Sequence, residues 1–232
     1  MKQLEKIIII CGHYGSGKTN FSVNLALDLK KTGEPVLLAD LDIVNPYFRT
    51  SDHAKMLESM GIKVLSPTYA NTNVDAPAIP AAMYSAFNFD GYAIFDMGGD
   101  DSGATVMGQF FKNMEHKKYD MLYVINNNRA MITNASDAAE MLLSIQATSR
   151  LKATYIVNNS HLKDETTILS IKQSAGYANE ISKLVNLPIY CTTVPENLLN
   201  KEQKNETNIN VDIGIENLYP IKVFVKTPWE EI

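Results

Sequence analysis

An α/β fold in three layers is what this sequence predicts: a mostly parallel sheet of about seven strands with helices on both faces. Two observations carry that expectation. Short apolar runs recur at Lys6 to Cys11, Val36 to Asp40, Lys63 to Leu65, Tyr92 to Asp96, Leu122 to Asn126, Thr154 to Asn158 and Ile189 to Thr193, separated by stretches of helical length. Parallel neighbours require crossovers of that size, whereas antiparallel ones can be joined by tight hairpins. The first run also leads directly into Gly12-His-Tyr-Gly-Ser-Gly-Lys-Thr19, which satisfies G-x-x-x-x-G-K-[ST], a loop that follows a strand and opens a helix.

The element after that loop is the one whose local pattern misleads. Phe21, Val23, Leu25, Leu27 and Leu29 alternate with more polar residues, which by period alone reads as a strand. The loop demands a helix instead. Residues Lys18 to Lys31 have helical length, and a helix apolar on most sides suits a well-covered position. Gly33-Glu-Pro35 then stops it. Near the other end, Asn200 to Asn210 is dense in Asn, Lys and Glu and reads as an exposed connection. Leu218 to Val225 reads as either a last strand or an apolar tail, and Pro220 within it favours a sheet edge.

The bulk numbers narrow the function classes. At 232 residues the chain suits one α/β domain, although length alone would also permit two; with the loop above it reads as a single nucleotide-binding domain over 1–232. A formal net charge of −5 argues against a broad nucleic-acid or anionic-membrane surface. Cys11 and Cys191 form no C-x-x-C, so neither a disulfide scaffold nor a dedicated metal motif is expected, and a reducing cytoplasm is the default location. No apolar stretch approaches the ~18 residues of a membrane span. The histidines at 13, 53, 116 and 161 lack ligand spacing. Trp229 reads as a packing anchor.

Three constellations carry chemistry. In the loop, Gly12, His13, Tyr14, Gly15, Ser16, Gly17, Lys18, Thr19 and Asn20 are the candidate phosphate-binding residues. Glycines let backbone N–H groups turn toward an anion, Lys18 adds a point charge for the β/γ oxygens, and Thr19 offers a hydroxyl to Mg²⁺. Second, Asp40-Leu-Asp42 ends the second predicted strand, where open α/β sheets put their ligands. Asp42 is a candidate to help hold Mg²⁺ or to position an attacking water, and an ordinary helix cap is the bland alternative. Third, Asp96-Met-Gly-Gly99 ends the fourth predicted strand. Asp96 there suits a water-mediated Mg²⁺ contact, and Gly98-Gly99 would let the backbone sense a γ-phosphate.

In this order the motifs resemble the MinD/ParA branch of P-loop NTPases, a group that includes nitrogenase iron protein, dethiobiotin synthetase and cobyrinic-acid amidotransferases. The resemblance covers roughly Lys6 to Leu198 and implies a P-loop NTPase fold that binds ATP with Mg²⁺. It further implies that Asn158, at the end of Tyr155-Ile-Val-Asn158, reads the adenine edge, with Asn159 as the alternate, and that Pro195 and Glu196 flank the base. An Asn amide pairs a donor and an acceptor with that edge. Switch-type members carry a lysine that crosses to the partner subunit. Here that place holds His13, followed by Tyr14. His13 is an unreliable cation at neutral pH, with a reference pKa near ~6.5, and Arg49 is a second candidate for the missing charge.

The function expected from this set is slow, Mg²⁺-dependent ATP hydrolysis, with Lys18 and Asp42 as catalytic residues and Thr19, Asp42 and Asp96 around the metal. Hydrolysis would rearrange the segments Val44 to Arg49 and Met97 to Gly103 and act on a protein partner the sequence does not identify. A homodimer is an open option, and nucleic acid and membrane are not expected partners. The alternatives are a ligase of the dethiobiotin synthetase or cobyrinic-acid type, which needs no crossing lysine, and a sensor that holds ATP without hydrolysing it. No Asn-Lys-x-Asp guanine signature occurs in the chain.

Overall fold

The computed structural model describes residues 2–42, 53–66, 81–128, 134–162, 165–199 and 214–224. Every expected strand forms: β1 (Ile7–Cys11), β2 (Val36–Leu41), β3 (Ile62–Leu65), β4 (Tyr92–Met97), β5 (Tyr119–Ile125), β6 (Tyr155–Asn158) and β7 (Ile189–Pro195). Among the described residues the count is eight rather than about seven, because Leu218–Ile221 is a further strand, β8, and not a tail. The sheet order is β3-β2-β4-β1-β5-β6-β7-β8, with every neighbouring pair parallel. Pro220 does sit on an edge strand, where a missing N–H breaks no ladder to a further neighbour.

The central strands are buried on both faces, so their sequences are continuous apolar runs rather than alternations. On one face Ile8, Ile10, Leu38, Ile94 and Val124 pack against Phe21, Val23 and Leu25 of α1 (Lys18–Lys30) and Leu57 of α2 (Ala54–Ser59). The strand-like alternation in α1 is therefore the signature of a helix covered nearly all round: residues 20–26 are buried without a break. On the other face Ile9, Leu37, Phe95 and Ile125 meet the short α3 (Ala82–Ser85) and α5 (Phe111–Met114), together with α4 (Asp100–Gln109), α6 (Ala135–Ser149) and α7 (Ile168–Val185).

Capping fixes where the longer helices begin and end. Asn134 accepts the Asp137 N–H at the start of α6, Thr167 and Ser170 close a reciprocal capping box on α7, and Asn186 ends α7 in the left-handed region at φ 52°. Because the sheet is wholly parallel, the carboxyl ends of all eight strands share one rim. At that rim β1 stands between β4 and β5, so the chain leaves β1 at a point where strand order reverses and neighbouring crossovers diverge. Among the described residues no helix is long and apolar enough to cross a membrane.

Candidate functional site

The loop from Gly12 to Gly17 joins β1 to α1 at that divergence. Gly17 is the N-cap of α1 with φ 88°, a backbone state costly for any residue with a Cβ, and a Cβ there would run into the Asn159 amide. Gly12 and Gly15 also have positive φ. The resulting turn leaves the first N–H groups of α1 facing the rim, with the positive end of the helix dipole behind them.

Lys18 is buried and its Nζ donates to the His13 carbonyl at 2.9 Å, folding the ammonium over its own loop. Ser16 Oγ is fully buried and lacks a hydrogen-bond partner among the described residues. A concave, glycine-turned loop with a cation and a waiting hydroxyl is a fit cradle for a phosphate chain. Its flank is chemically quiet: burial pushes the Cys11 thiol up to about 12, so it stays protonated.

The carboxylates gather beside the loop. Asp40 and Asp96 are in register on β2 and β4, and both are fully or almost fully buried. They lie at alternate positions with Leu38 and Ile94, so they face the α1 side of the sheet. Asp96 accepts a hydrogen bond from Ser22 of α1 at 3.0 Å. Asp40 accepts the Asp42 N–H at 3.0 Å, closing a small turn that lays Asp42 over Gly98: a Cβ on Gly98 would sit 3.1 Å from Asp42 Oδ1. A Cβ on Gly99 would meet the Tyr14 backbone at 2.9 Å, so only glycine lets the two backbones approach so closely. Two carboxylates on one side of adjacent strands repel each other and favour a cation between them. Among the described residues no group of three or more His, Cys, Asp or Glu is gathered around one point. Mg²⁺ suits such a sparse set, since it keeps waters and takes further oxygens from phosphates.

The asparagines divide by strand parity. Asn158 follows the buried alternation toward α7: its Nδ2 donates to Ser174 Oγ at 2.9 Å and its Oδ1 accepts the Ser160 N–H at 3.3 Å. These partners hold the Asn158 amide on the α7 side of the sheet. Asn159, one residue on, points to the other side. Its Nδ2 donates to the Ser16 carbonyl at 2.7 Å and its Oδ1 accepts from Thr193 at 2.6 Å.

Asn20 uses its side chain elsewhere. Its amide holds the backbone of Lys222 and Phe224, which leaves its backbone N–H in the first turn of α1 for the loop. Pro195 ends β7 three strands from β1, and Glu196 lies 3.9 Å from Lys222 Nζ. Tyr14 is 54% exposed at the crown of the loop, whereas His13 is buried with Nδ1 2.7 Å from the Tyr14 carbonyl oxygen. Thr19 stands in the first turn of α1. Arg49, the segment Val44 to Arg49, Trp229 and Asn200 to Asn210 lie outside the described residues.

Sequence reasoning missed Ser22, Asn24 and Thr193 as members of this network. Their signal was polarity inside otherwise apolar elements, since buried polar groups find partners.

Residues 7–231 match the family model described as the CobQ/CobB/MinD/ParA nucleotide binding domain. The chain belongs to this family. The family match runs through the loop, both Asp elements and β8. No curated protein sequence matches the chain.

Solved structures of similar fold include cell division protein FtsY from Thermotoga maritima, 20% identical over 84% of this chain and 63% of that one, TM-score 0.53. FtsY from Elizabethkingia anophelis in complex with GDP is 16% identical over 84% and 58%, TM-score 0.53. The signal recognition particle 54 kDa protein from Aeropyrum pernix in complex with GDP is 15% identical over 83% and 42%, TM-score 0.55. At these identities the likeness is one of fold. The chain spans between 42% and 63% of the length of these three proteins.

Proposed function

We propose that this member of the CobQ/CobB/MinD/ParA family is a Mg²⁺-dependent ATPase, one domain over 1–232, whose cycle is a conformational switch read by a protein partner in the cytoplasm. The observation that supports it best is the meeting of three segments at one point: Gly99 abuts Tyr14 of the loop while Gly98 lies under Asp42. A group arriving at the tip of a bound phosphate chain would touch all three at once, which is what a γ-phosphate sensor requires.

Each residue then has a separate task. Lys18 would leave the His13 carbonyl for the β/γ oxygens, a short movement because the ammonium already lies over the loop. Gly12, Gly15, Ser16 and Gly17 would contribute backbone donors, and Ser16 Oγ a further one. Thr19 and Asp96 would hold Mg²⁺, with Asp96 kept in place by Ser22. Bound Mg²⁺ would neutralise charge on the transferring phosphoryl group. Asp42 would orient the attacking water, its backbone fixed by Asp40. The base would lie between Asn159 and the Pro195-Glu196 turn. It is assigned as adenine because the chain has no Asn-Lys-x-Asp; the GDP in the two neighbouring structures belongs to those proteins.

The burial of His13 favours a switch that does not depend on this residue crossing to a second subunit. The test is direct. ATP and GTP affinity and Mg²⁺-dependent hydrolysis are measured side by side on the wild type, Lys18→Ala and Asp42→Ala. Lys18→Ala is expected to abolish binding, and Asp42→Ala to retain binding but lose turnover. Unchanged affinity and turnover in Lys18→Ala would sink the reading, and a preference for GTP would overturn its base assignment. Light scattering on Asp42→Ala with Mg²⁺-ATP and then Mg²⁺-ADP reads whether the switch is accompanied by dimerisation.

A further inference from the structure

Helix α1 carries two buried asparagines one turn apart, Asn20 and Asn24, in a stretch that apart from Ser22 is apolar. Their amides grip the chain just beyond β8. Asn20 Nδ2 and Asn24 Nδ2 donate to the Lys222 carbonyl at 3.0 and 2.9 Å, Asn24 Oδ1 accepts the Lys222 N–H at 2.9 Å, and Asn20 Oδ1 accepts the Phe224 N–H at 2.8 Å. The hold extends in both directions. Tyr219 donates to Asp28 at 2.6 Å and packs edge-on against Phe21, while Phe224 faces the His53 ring at the start of α2, with centroids 6.4 Å apart. Lys222 also reaches toward Glu196. One short stretch thus touches the helix that begins at the phosphate loop, the residue after β7 and the start of α2.

We propose that Lys222–Phe224 is a nucleotide-responsive strap: filling the phosphate loop tightens its hold on α1, and its hold in turn raises the affinity of the loop. This rests on the reading of Gly12 to Thr19 as the nucleotide site. Asn20 directly follows Thr19, in the helical turn whose N–H groups would face phosphate. With the strap in place both buried amides are satisfied and that turn is fixed. With it lifted both amides lose the strap, Asn24 keeping its bond to the Asn20 carbonyl at 2.7 Å, and the turn is less firmly held. A ligand that needs the turn fixed therefore favours the strapped state, and the coupling is reciprocal.

The strap amides report it directly, because the Lys222 and Phe224 N–H groups donate to the asparagine side chains. Hydrogen–deuterium exchange at these two amides is followed by NMR on the full chain, without nucleotide and with Mg²⁺ plus ATPγS or GTPγS, with nucleotide binding measured in the same samples. Exchange is expected to slow by about 5-fold or more on binding, and Asn24→Leu to weaken nucleotide affinity by the same factor. Bound nucleotide with unchanged exchange overturns the proposal, and that measurement needs no variant. So does an Asn24→Leu protein that exchanges faster by one factor in both states with unaltered affinity, which makes the strap a static tie. Absence of binding by either nucleotide fails the nucleotide-site reading itself and removes the strap's ligand with it.

Discussion

Replacing Asn159 by Ala is expected to destabilise the protein by about 1.5–4 kcal/mol and to weaken nucleotide binding about tenfold or more. The magnitude follows from two hydrogen bonds of unequal consequence. Asn159 Nδ2 donates to the Ser16 carbonyl at 2.7 Å, and Ser16 is fully buried, so water does not replace the lost donor. An acceptor left in that state costs about 1–3 kcal/mol. The Thr193 hydroxyl, 2.6 Å from Asn159 Oδ1, has a second acceptor in the Asn158 carbonyl at 3.4 Å and can turn to it. Its share is therefore smaller, about 0.5–1 kcal/mol. Urea unfolding of Asn159→Ala, Thr193→Val and the double variant separates the two: the double should cost less than the sum, since Val leaves no hydroxyl to satisfy. Asn158→Ala serves as the contrast, losing Ser174 and Ser160 as partners while leaving nucleotide affinity near wild type. A change under about 0.5 kcal/mol in Asn159→Ala, or an affinity loss larger in Asn158→Ala, would refute this account of how the loop is braced.

Three further outcomes follow from single contacts. Ser22→Ala removes a hydrogen bond to the buried Asp96 carboxylate and should cost about 1.5–3 kcal/mol in a denaturant titration. Gly176→Ala should stabilise by about 0.5–1 kcal/mol, read as a rise of about 2 °C in Tm, because Gly176 lies inside α7 and a Cβ there meets nothing within 4 Å. Stability should fall as pH rises above 9: burial raises the Cys11 pKa from 9.0 to about 12, so the unfolded chain loses that proton first and the native state binds more protons across this window. At pH 10 the loss from Cys11 is about 1.4 kcal/mol, and Cys191, Tyr177 and Tyr190, all shifted upward by burial, add in the same direction. Unfolding curves at pH 8 and pH 10 check it, and neither thiol should react with an alkylating reagent at pH 8 until the protein unfolds.

Much of this architecture was legible because parallel strands buried on both faces announce themselves as uninterrupted apolar runs, and the phosphate loop fixed the one helix whose own period pointed elsewhere. The eighth strand was ambiguous for a physical reason: Pro220 is compatible with an edge or a tail, and only pairing with Val194 decides between them. The site was legible as composition but not as direction. Asn158 and Asn159 are chemically identical, and which one faces the loop depends on the pleat of β6 and on the register shift it carries beside β7. Asn20 fell within the loop's sequence neighbourhood and was grouped with it, yet its partners stand about 200 positions further on, beyond any local pattern. Buried polarity at Asn20, Ser22 and Asn24 was the available sign that α1 had distant partners to meet.

The bracing of the first loop by the last strands has a consequence for synthesis. Ser16 waits for Asn159, 143 positions later, and Asn20 for Lys222, 202 positions later. At about 5–20 residues per second, a ribosome needs roughly 10–40 s to travel from Asn20 to Lys222. Through that interval the glycine-rich turn exists without the contacts that hold it, and a parallel sheet of such long-range pairings is slow to close once they arrive. Whatever stabilisation a ligand gives through these contacts is then available only once Lys222 has been made, so nucleotide in the surrounding solution would favour chains that carry it over shorter ones.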